Sequence, residues 1–269
     1  MQSDESERTR RVAIDHHHEM ADVFESFYAG DIARWDTAFH YGRHKVDLLL
    51  DAELKRLEPG ARVLDVGCGT GEYLRRLTRL GFAASGVEPA RAMREHAQRR
   101  NPDVAVLDGV VTDLPFADGS FDLVIAIEVF RYLHRADNAR GHAEIMRVLA
   151  PGGAAFITYV NRYALDAFYL RQRGRQLLRR RDFDNENPHC EFTTPREVRR
   201  DLRRAGADQV EIHGRLLAPL RLVYKLHEPT GARLARAVES LDDLVCAQGW
   251  TRPFAGHLVG IARKDARRA

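Results

Sequence analysis

A buried strand that runs directly into a glycine-rich turn constrains this chain more than any other feature. Residues 63–66 read Val-Leu-Asp-Val, and residues 67–71 read Gly-Cys-Gly-Thr-Gly. Gly67 and Gly69 let the backbone approach a ligand that any Cβ would exclude. A turn of this kind, between a strand and the start of a helix, is where open α/β sheets bind their ligands. The segment therefore predicts a ligand site at the edge of an α/β sheet.

Short β-branched runs alternate with helical patterns after residue 62, which predicts a parallel sheet with crossover helices. One helix is predicted to end at Pro151, and Thr194-Pro195-Arg196-Glu197 is a helix-start signature that predicts another. At 269 residues, the chain can form one α/β domain with additions. The predicted strands cover 63–66, 83–87, 104–107, 121–127, 154–160, 209–212 and 257–262.

Five segments are predicted along the chain. They are a flexible lead-in (1–12), an N-terminal helical cap (13–58), a cofactor-binding core (59–160), a lid insertion (161–194) and the C-terminal part of the core sheet (195–269). The insertion is basic, which suits either a solvated helix face or an anionic group on a substrate. Its arginines are Arg171, Arg173, Arg175, Arg179, Arg180 and Arg181.

Cysteine spacing, charge and hydropathy narrow the class of protein. The three cysteines lie far apart, without the spacing of a zinc site or a disulfide framework. A formal net charge of +3 does not demand a nucleic acid or an anionic membrane as a partner. No apolar run approaches the roughly 20 residues of a membrane span. We therefore expect a cytoplasmic protein without a metal site and without a membrane span.

Acidic residues near the glycine turn discriminate between cofactors. A dinucleotide-binding loop needs glycine at position 72, where this chain has Glu72, whose carboxylate would repel a pyrophosphate. S-adenosylmethionine has no phosphate and carries an ammonium and a sulfonium, so nearby carboxylates favour it. Glu88 follows the second strand, 19 positions beyond Gly69, where an acidic side chain can accept both ribose hydroxyls. The pattern favours S-adenosylmethionine over NAD.

Four motifs in register resemble class I S-adenosylmethionine-dependent methyltransferases of the small-molecule type, similar to methyltransferase domain 11. They are the glycine turn, Glu88, the stretch 113–122 (DLPFADGSFD) and the stretch 147–153 (RVLAPGG). The resemblance implies a Rossmann-like α/β fold with a seven-stranded, mostly parallel sheet and flanking helices. The last strand is then antiparallel, an N-terminal helical cap covers the site, and an insertion follows strand five.

The same resemblance implies roles for individual residues. Asp65, Gly67 and Gly69 would hold the methionine part of the cofactor, and Glu88 would hold the ribose. Many relatives carry an acidic residue for the adenine amine where this chain has Val110, so Val110 and Val111 are expected to flank the ring, with Asp108 as a weaker alternative acceptor. Cys68 and Glu128 complete the predicted cofactor site.

The sequence says less about the residues that handle the methyl acceptor than about those that bind the cofactor. Methyl transfer is an in-line displacement, so a base is needed only for weakly acidic acceptors. Relatives often carry a Glu-His pair where this chain has Arg131-Tyr132, so the role of that histidine does not transfer. We predict Tyr132, His134 and Tyr41 as catalytic or lining residues. Other histidines that could titrate near neutrality lie at positions 16–18, 40, 44 and 189.

The predicted activity is methyl transfer from S-adenosylmethionine to a small-molecule acceptor, such as a metabolite, a sugar or a natural-product intermediate. An RNA-modifying methyltransferase is the first alternative, because arginines and aromatic residues are interleaved in the insertion. A non-catalytic S-adenosylmethionine-binding regulator is the second. The sequence leaves open whether the protein forms a homodimer, and nucleic acid is not the expected partner.

Overall fold

The computed structural model describes residues 2–28, 35, 37–165, 169–170, 174, 189–217 and 220–267. The arginine run of the predicted insertion, Arg171 to Arg181, lies outside these described residues. The strands are β1 (Arg62–Val66), β2 (Ala83–Val87), β3 (Ala105–Leu107), β4 (Phe121–Ala126), β5 (Leu149–Asn161), β6 (Phe192–Thr193), β7 (Gln209–Arg215) and β8 (His257–Arg263).

Helices cover both faces of the sheet that these strands form. None of the helices in the described part of the chain is long and apolar enough to cross a membrane. Two 3₁₀ helices, Phe130–Tyr132 and Gly249–Phe254, accompany the α-helices. The α-helices are α1 (Gln2–Glu19), α2 (Ala21–Tyr28), α3 (Ala38–Leu54), α4 (Glu72–Arg79), α5 (Arg91–Arg100), α6 (Arg135–Val148), α7 (Pro195–Arg204), α8 (Leu220–Leu226) and α9 (Glu228–Cys246).

The strand order is β3-β2-β1-β4-β5-β8-β7, and the short β6 pairs with the end of β5 off this path. The strands from β3 to β5 pair in parallel, whereas β8 is antiparallel to both of its neighbours. The carboxyl ends of the parallel strands therefore share one edge, here called the carboxyl edge, and β8 begins there. The predicted fold class, including the antiparallel last strand, is confirmed.

Central strands are apolar on both faces because helices cover both sides of the sheet. On β1, Leu64 packs into one core cluster and Val63 into the other, and both side chains are fully buried. The second cluster includes Leu50 of α3, so this helix is part of the folded core. This packing fixes α3 against the sheet beside the glycine turn.

The first helix differs from the sequence prediction, because α1 begins at Gln2 within the segment expected to be a flexible lead-in. Its polar residues are held by contacts with distant elements. Arg10 donates to Thr112 Oγ1 at 3.3 Å and lies 3.6 Å from Asp137 Oδ2, and Ser6 is buried. Periodicity in a single sequence carries no record of such contacts, so the pattern alone did not reveal this helix.

Helix α2 is held against α5 by a histidine between two carboxylates. His96 Nδ1 lies 2.6 Å from Glu25 Oε2, and His96 Nε2 lies 3.0 Å from Asp22 Oδ1. Arg100 of α5 adds a second ion pair to Glu25 at 3.3 Å. These contacts position α2 above the carboxyl edge.

Lys45 joins α3 to α9, and we expect its loss to destabilise the fold. Its side chain is fully buried, and its Nζ pairs with Glu239 Oε1 at 3.5 Å and with Asp243. Lys45→Ala would remove both ion pairs and leave the space of a fully buried side chain unfilled, so we expect the free energy of unfolding to fall by about 3 kcal/mol. Urea unfolding measures this. Lys55→Ala, at an exposed position just after α3, is the matched control and should stay within about 0.5 kcal/mol of the parent.

Candidate active site

A cavity of about 400 Å³ opens at the carboxyl edge, a size typical of small-molecule sites. Its floor is formed by the ends of β1, β2 and β4 and by the loops that follow them. Its roof is formed by α1, α2, the start of α3 and α8. The roof residues are Arg10, Ala13, Ile14, His17, Phe24, Ala38, Phe39, Tyr41, Gly42, Arg43, Leu220 and Tyr224.

Nearly every residue predicted for the site lines this one cavity. His134 does not: it is the N-cap of α6, where its Nδ1 accepts from Ala136 N at 3.4 Å. We therefore leave His134 out of the site proposed below. The predicted residues that line the cavity are Tyr41, Asp65, Gly67, Cys68, Gly69, Glu88, Val110, Val111, Glu128 and Tyr132.

The glycine turn is held against the end of β2 by its own backbone. Gly67 N and Cys68 N both donate to Val87 O, at 2.7 and 3.0 Å. Gly67 and Gly69 have φ of +67° and +54°, in the left-handed region that favours glycine. A Cβ added at Gly69, which lines the cavity, would meet no atom within 4 Å, so open space lies beside the turn at this residue.

Glu88 connects the glycine turn to the helix that follows β2. Its Oε2 accepts from Gly69 N and its Oε1 accepts from Ala90 N, both at 2.9 Å. Each carboxylate oxygen retains capacity for a further donor, so the group can accept two hydroxyls while it holds the turn. Burial raises the pKa of Glu88 to about 7, against the lowering effect of the two amides.

Asp65, near the end of β1, is the second buried carboxyl group of the floor. Its Oδ2 is buried and has no hydrogen-bond partner within the described residues. Burial raises the pKa of Asp65 to about 8, while the nearby Arg43 guanidinium lowers it and Glu88 raises it. A buried acceptor without a donor is the kind of group that a bound ligand satisfies.

Arg43 is a site residue that the sequence prediction missed. Its guanidinium lies 3.7 Å from the centre of the Tyr73 ring and 3.6 Å from Asp47, and its side chain is buried. A signal was available, because position 43 falls on the apolar stripe of α3 formed by residues 46, 50 and 54. A charged residue on such a stripe indicates a buried role.

The expected adenine side has an apolar lining. Val110 and Val111 line the cavity, and Val111 is buried. Asp108, the alternative acceptor, is exposed, pairs with Arg94 at 3.2 Å and does not belong to the lining. The side chains at this position therefore offer surface for a ring rather than a carboxylate for its amine.

Residues after β4 form a polar wall beside the glycine turn. Glu128 has a φ of +62°, a strained conformation for a residue with a side chain. Its carboxylate pairs with Arg131 at 2.7 Å and lies 3.4 Å from Nδ1 of His257. His257 was not predicted, although an antiparallel last strand must begin at the carboxyl edge, where ligands bind.

Tyr41 lies in the roof with its hydroxyl buried and unpartnered among the described residues. Burial raises the pKa of Tyr41 well above its usual range, and the carboxylates of Asp242, Glu239 and Asp243 act in the same direction. The hydroxyl therefore stays protonated, so Tyr41 can donate a hydrogen bond but does not act as a base near neutral pH.

The carboxyl groups of the floor suit a cofactor that carries a positive charge and hydroxyl groups. Two buried carboxyl groups, Asp65 and Glu88, face the cavity, and the glycine turn leaves room beside them. At the start of α4, Glu72 supplies a carboxylate where a dinucleotide would place its pyrophosphate. These residues fit S-adenosylmethionine.

Comparisons with known proteins identify the family of this chain. A family model described as a methyltransferase domain matches residues 38–212. The ubiquinone biosynthesis O-methyltransferase of Xanthomonas axonopodis pv. citri (strain 306) is 32% identical over 191 residues, which are 68% of this chain and 79% of that protein. A solved S-adenosylmethionine-dependent methyltransferase from Thermotoga maritima shares the fold with a TM-score of 0.59 at 20% identity, over 92% of this chain and 97% of that one.

A second structure shares the fold and carries the cofactor. Phosphoethanolamine N-methyltransferase 2 of Haemonchus contortus, in complex with S-adenosyl-L-methionine, gives a TM-score of 0.55 at 20% identity, over 80% of this chain and 51% of that one. The fold and the cavity define a class I methyltransferase. The chain belongs to the methyltransferase-domain family, and it is an S-adenosylmethionine-dependent enzyme.

The raised pKa values of Glu88 and Asp65, about 7 and about 8, predict pH-dependent cofactor binding. Both groups hold protons below these values, and a cationic ligand favours their ionised forms, so binding releases protons. We expect the affinity for S-adenosylmethionine to rise with pH up to about 8 and then to level off. The slope should approach tenfold per pH unit for each group.

Calorimetric titrations in buffers of different ionisation enthalpy measure both the affinity and the number of protons released. Glu88→Gln, which has no titratable group, is the control and should flatten the part of the profile that Glu88 causes. An affinity of the parent protein that does not change with pH would contradict the prediction.

Proposed function

We propose that this methyltransferase acts on a small-molecule acceptor bound between the cofactor and the helical roof. On this proposal, Asp65, Gly67, Cys68 and Gly69 hold the methionine part of the cofactor, and Glu88 holds the ribose. Val110 and Val111 flank the adenine, and Glu128 borders the reacting centre. The segment 13–58 acts as the cap, together with the earlier turns of α1.

The helical cover over the cavity is the observation that carries this proposal. Three helical segments from the N-terminal part of the chain and α8 from the C-terminal part contribute side chains to the cavity above the carboxyl edge, which favours a small acceptor over a macromolecule. The roof is largely apolar and aromatic, with Phe24, Phe39 and Tyr224 among its residues. Two relatives named as ubiquinone biosynthesis O-methyltransferases, at 29% and 32% identity, support a small-molecule acceptor.

S-adenosylmethionine supplies an electrophilic methyl group attached to a sulfonium. The protein's own work is then to hold an acceptor in line with that methyl group and to keep water away from it. Tyr132, at the end of the 3₁₀ helix after β4, and Tyr41 in the roof line the space for the acceptor. The hydroxyl of Tyr41 is available as a hydrogen-bond donor to it.

Transfer of labelled methyl groups tests the proposal. The protein is incubated with labelled S-adenosylmethionine and a lysate of the source organism, and the products are separated into small molecules, lipids, RNA and protein. We expect label among the small molecules or the lipids. Label confined to RNA would support the alternative activity on RNA, and label in no fraction would contradict the proposal.

A further inference from the structure

His17 of α1 occupies a position in the roof that suits proton transfer. Its imidazole lines the cavity beside Tyr132, with the two ring centroids 4.8 Å apart in an edge-to-face arrangement. The ring of Phe24 stacks on its other side at 5.3 Å, with an interplanar angle of 9°. Two aromatic neighbours from different elements therefore fix the orientation of this ring.

A backbone contact determines which nitrogen of His17 carries the proton. Nδ1 lies 2.7 Å from the carbonyl oxygen of Ala13, and a carbonyl can only accept, so Nδ1 is the protonated nitrogen. The neutral ring then has its lone pair on Nε2. Within the described residues, Nε2 has no hydrogen-bond partner. This arrangement, one nitrogen bound to the backbone and the other free, is the one that a general base requires.

Burial and neighbouring cations keep His17 neutral, and Arg131 offers a donor to the acceptor oxygen. Burial lowers the pKa of His17 against the raising effect of its hydrogen bond to the carbonyl of Ala13, and the charges of His16 on the same helix and Arg131 on the neighbouring 3₁₀ helix lower it further. Tyr132 is the other titratable group in contact with the ring. Arg131 also lines the cavity; its Nη1 pairs with Glu128 at 2.7 Å, and its Nε has no partner among the described residues. An Nε–H that remains available at this point can donate to a developing oxyanion.

We propose that His17 is the general base for a hydroxyl group on a flat aromatic ring, with Arg131 stabilising the oxyanion. This proposal rests on the proposed function and names the acceptor class within it. The acceptor's O–H proton passes to Nε2 of His17, and the oxygen's electron pair forms the new bond to the methyl carbon. The carbon–sulfur bond breaks with its electron pair on sulfur, which leaves S-adenosylhomocysteine, the methyl ether and an imidazolium that returns its proton to solvent.

Catechols of graded acidity test this proposal. The parent protein, His17→Gln and the matched control His18→Gln are assayed with 4-methylcatechol, catechol and 4-nitrocatechol. His18 lies one position away, is exposed and is outside the cavity lining. For 4-methylcatechol we expect His17→Gln to lower kcat about 100-fold or more, and His18→Gln to leave it nearly unchanged.

Two readouts separate a base from a structural residue. In the parent protein, kcat should fall on acidification below about pH 6.5, because the pKa of His17 is lowered from that value, and His17→Gln should lose this acidic limb. The reduction in kcat caused by His17→Gln should also be smaller for 4-nitrocatechol than for 4-methylcatechol, because a more acidic hydroxyl depends less on a base to remove its proton. Calorimetry should give an unchanged affinity of His17→Gln for S-adenosylmethionine.

The outcomes distinguish this proposal from the proposed function. Methylation of amines but of no catechol would overturn the acceptor class and leave the small-molecule activity standing. An acidic limb that persists in His17→Gln but disappears in His257→Gln would overturn the role of His17 in favour of the His257–Glu128 pair. Absence of methyl transfer to every lysate fraction would instead contradict the proposed function itself.

Discussion

Glu88→Ala is expected to weaken S-adenosylmethionine binding by about 100-fold or more. The variant removes a charged acceptor for two ribose hydroxyls, and each such hydrogen bond contributes about 1.5 kcal/mol or more. It also leaves Gly69 N and Ala90 N without the carboxylate that each now donates to at 2.9 Å. The glycine turn should therefore lose its fixed position as well as its ligand contact. Isothermal titration calorimetry measures the affinity directly.

Asp108→Ala provides the matched control for Glu88→Ala. Both residues are carboxylates that follow neighbouring strands, but Asp108 is exposed and pairs with Arg94 outside the cavity. We expect its loss to change the affinity no more than about twofold, as for an exposed ion pair. A large loss in Asp108→Ala would identify it as an adenine acceptor after all. An unchanged affinity in Glu88→Ala would refute the ribose assignment.

Gly67→Ala is expected to destabilise the protein by roughly 2–5 kcal/mol and to abolish measurable cofactor binding. Two independent costs add at this position. A side chain at a φ of +67° is strained, and the new Cβ would lie 2.6 Å from Cγ2 of Val129, a stiff β-branched side chain. Relief of this clash would move either the glycine turn or the residues after β4, and both line the cavity.

Gly81→Ala separates the two costs. Gly81 has a similar φ of +85°, but an added Cβ meets nothing within 4 Å, so only the backbone strain remains. We expect it to lower the free energy of unfolding by about 1–2 kcal/mol and to leave cofactor affinity intact. Urea unfolding with calorimetry measures both quantities. Equal destabilisation of the two variants would show that contact with Val129 contributes nothing.

Much of the fold could be predicted because the signals were local. The strand that enters the glycine turn, the helix start at Thr194 and the apolar strands each depend on neighbouring residues in the sequence. The side chain of Thr194 does accept from Glu197 N at 3.3 Å, as its pattern predicted. The helix that begins at Gln2 was missed because distant residues, such as Asp137, hold it in place.

The floor of the site could be predicted from the sequence better than its roof, for the same reason. Residues of the floor follow the ends of consecutive strands, so their order in the sequence gives their proximity in space. The roof brings α1, α3 and α8 together from both ends of the chain, and no spacing in the sequence records that encounter. Arg43 and His257 were missed although each left a signal, the apolar stripe of α3 and the start of an antiparallel last strand. His134, two positions after Tyr132, lies outside the cavity lining.

The position of β8 between β5 and β7 has a consequence for how the chain acquires its structure during synthesis. Both neighbours are made before β8, and each presents unpaired backbone groups toward the gap until residues 257–263 arrive. The nascent chain therefore holds two open strand edges, which are templates for association with other chains. This topology makes the time between synthesis of β7 and insertion of β8 an interval in which these open edges can associate with other chains.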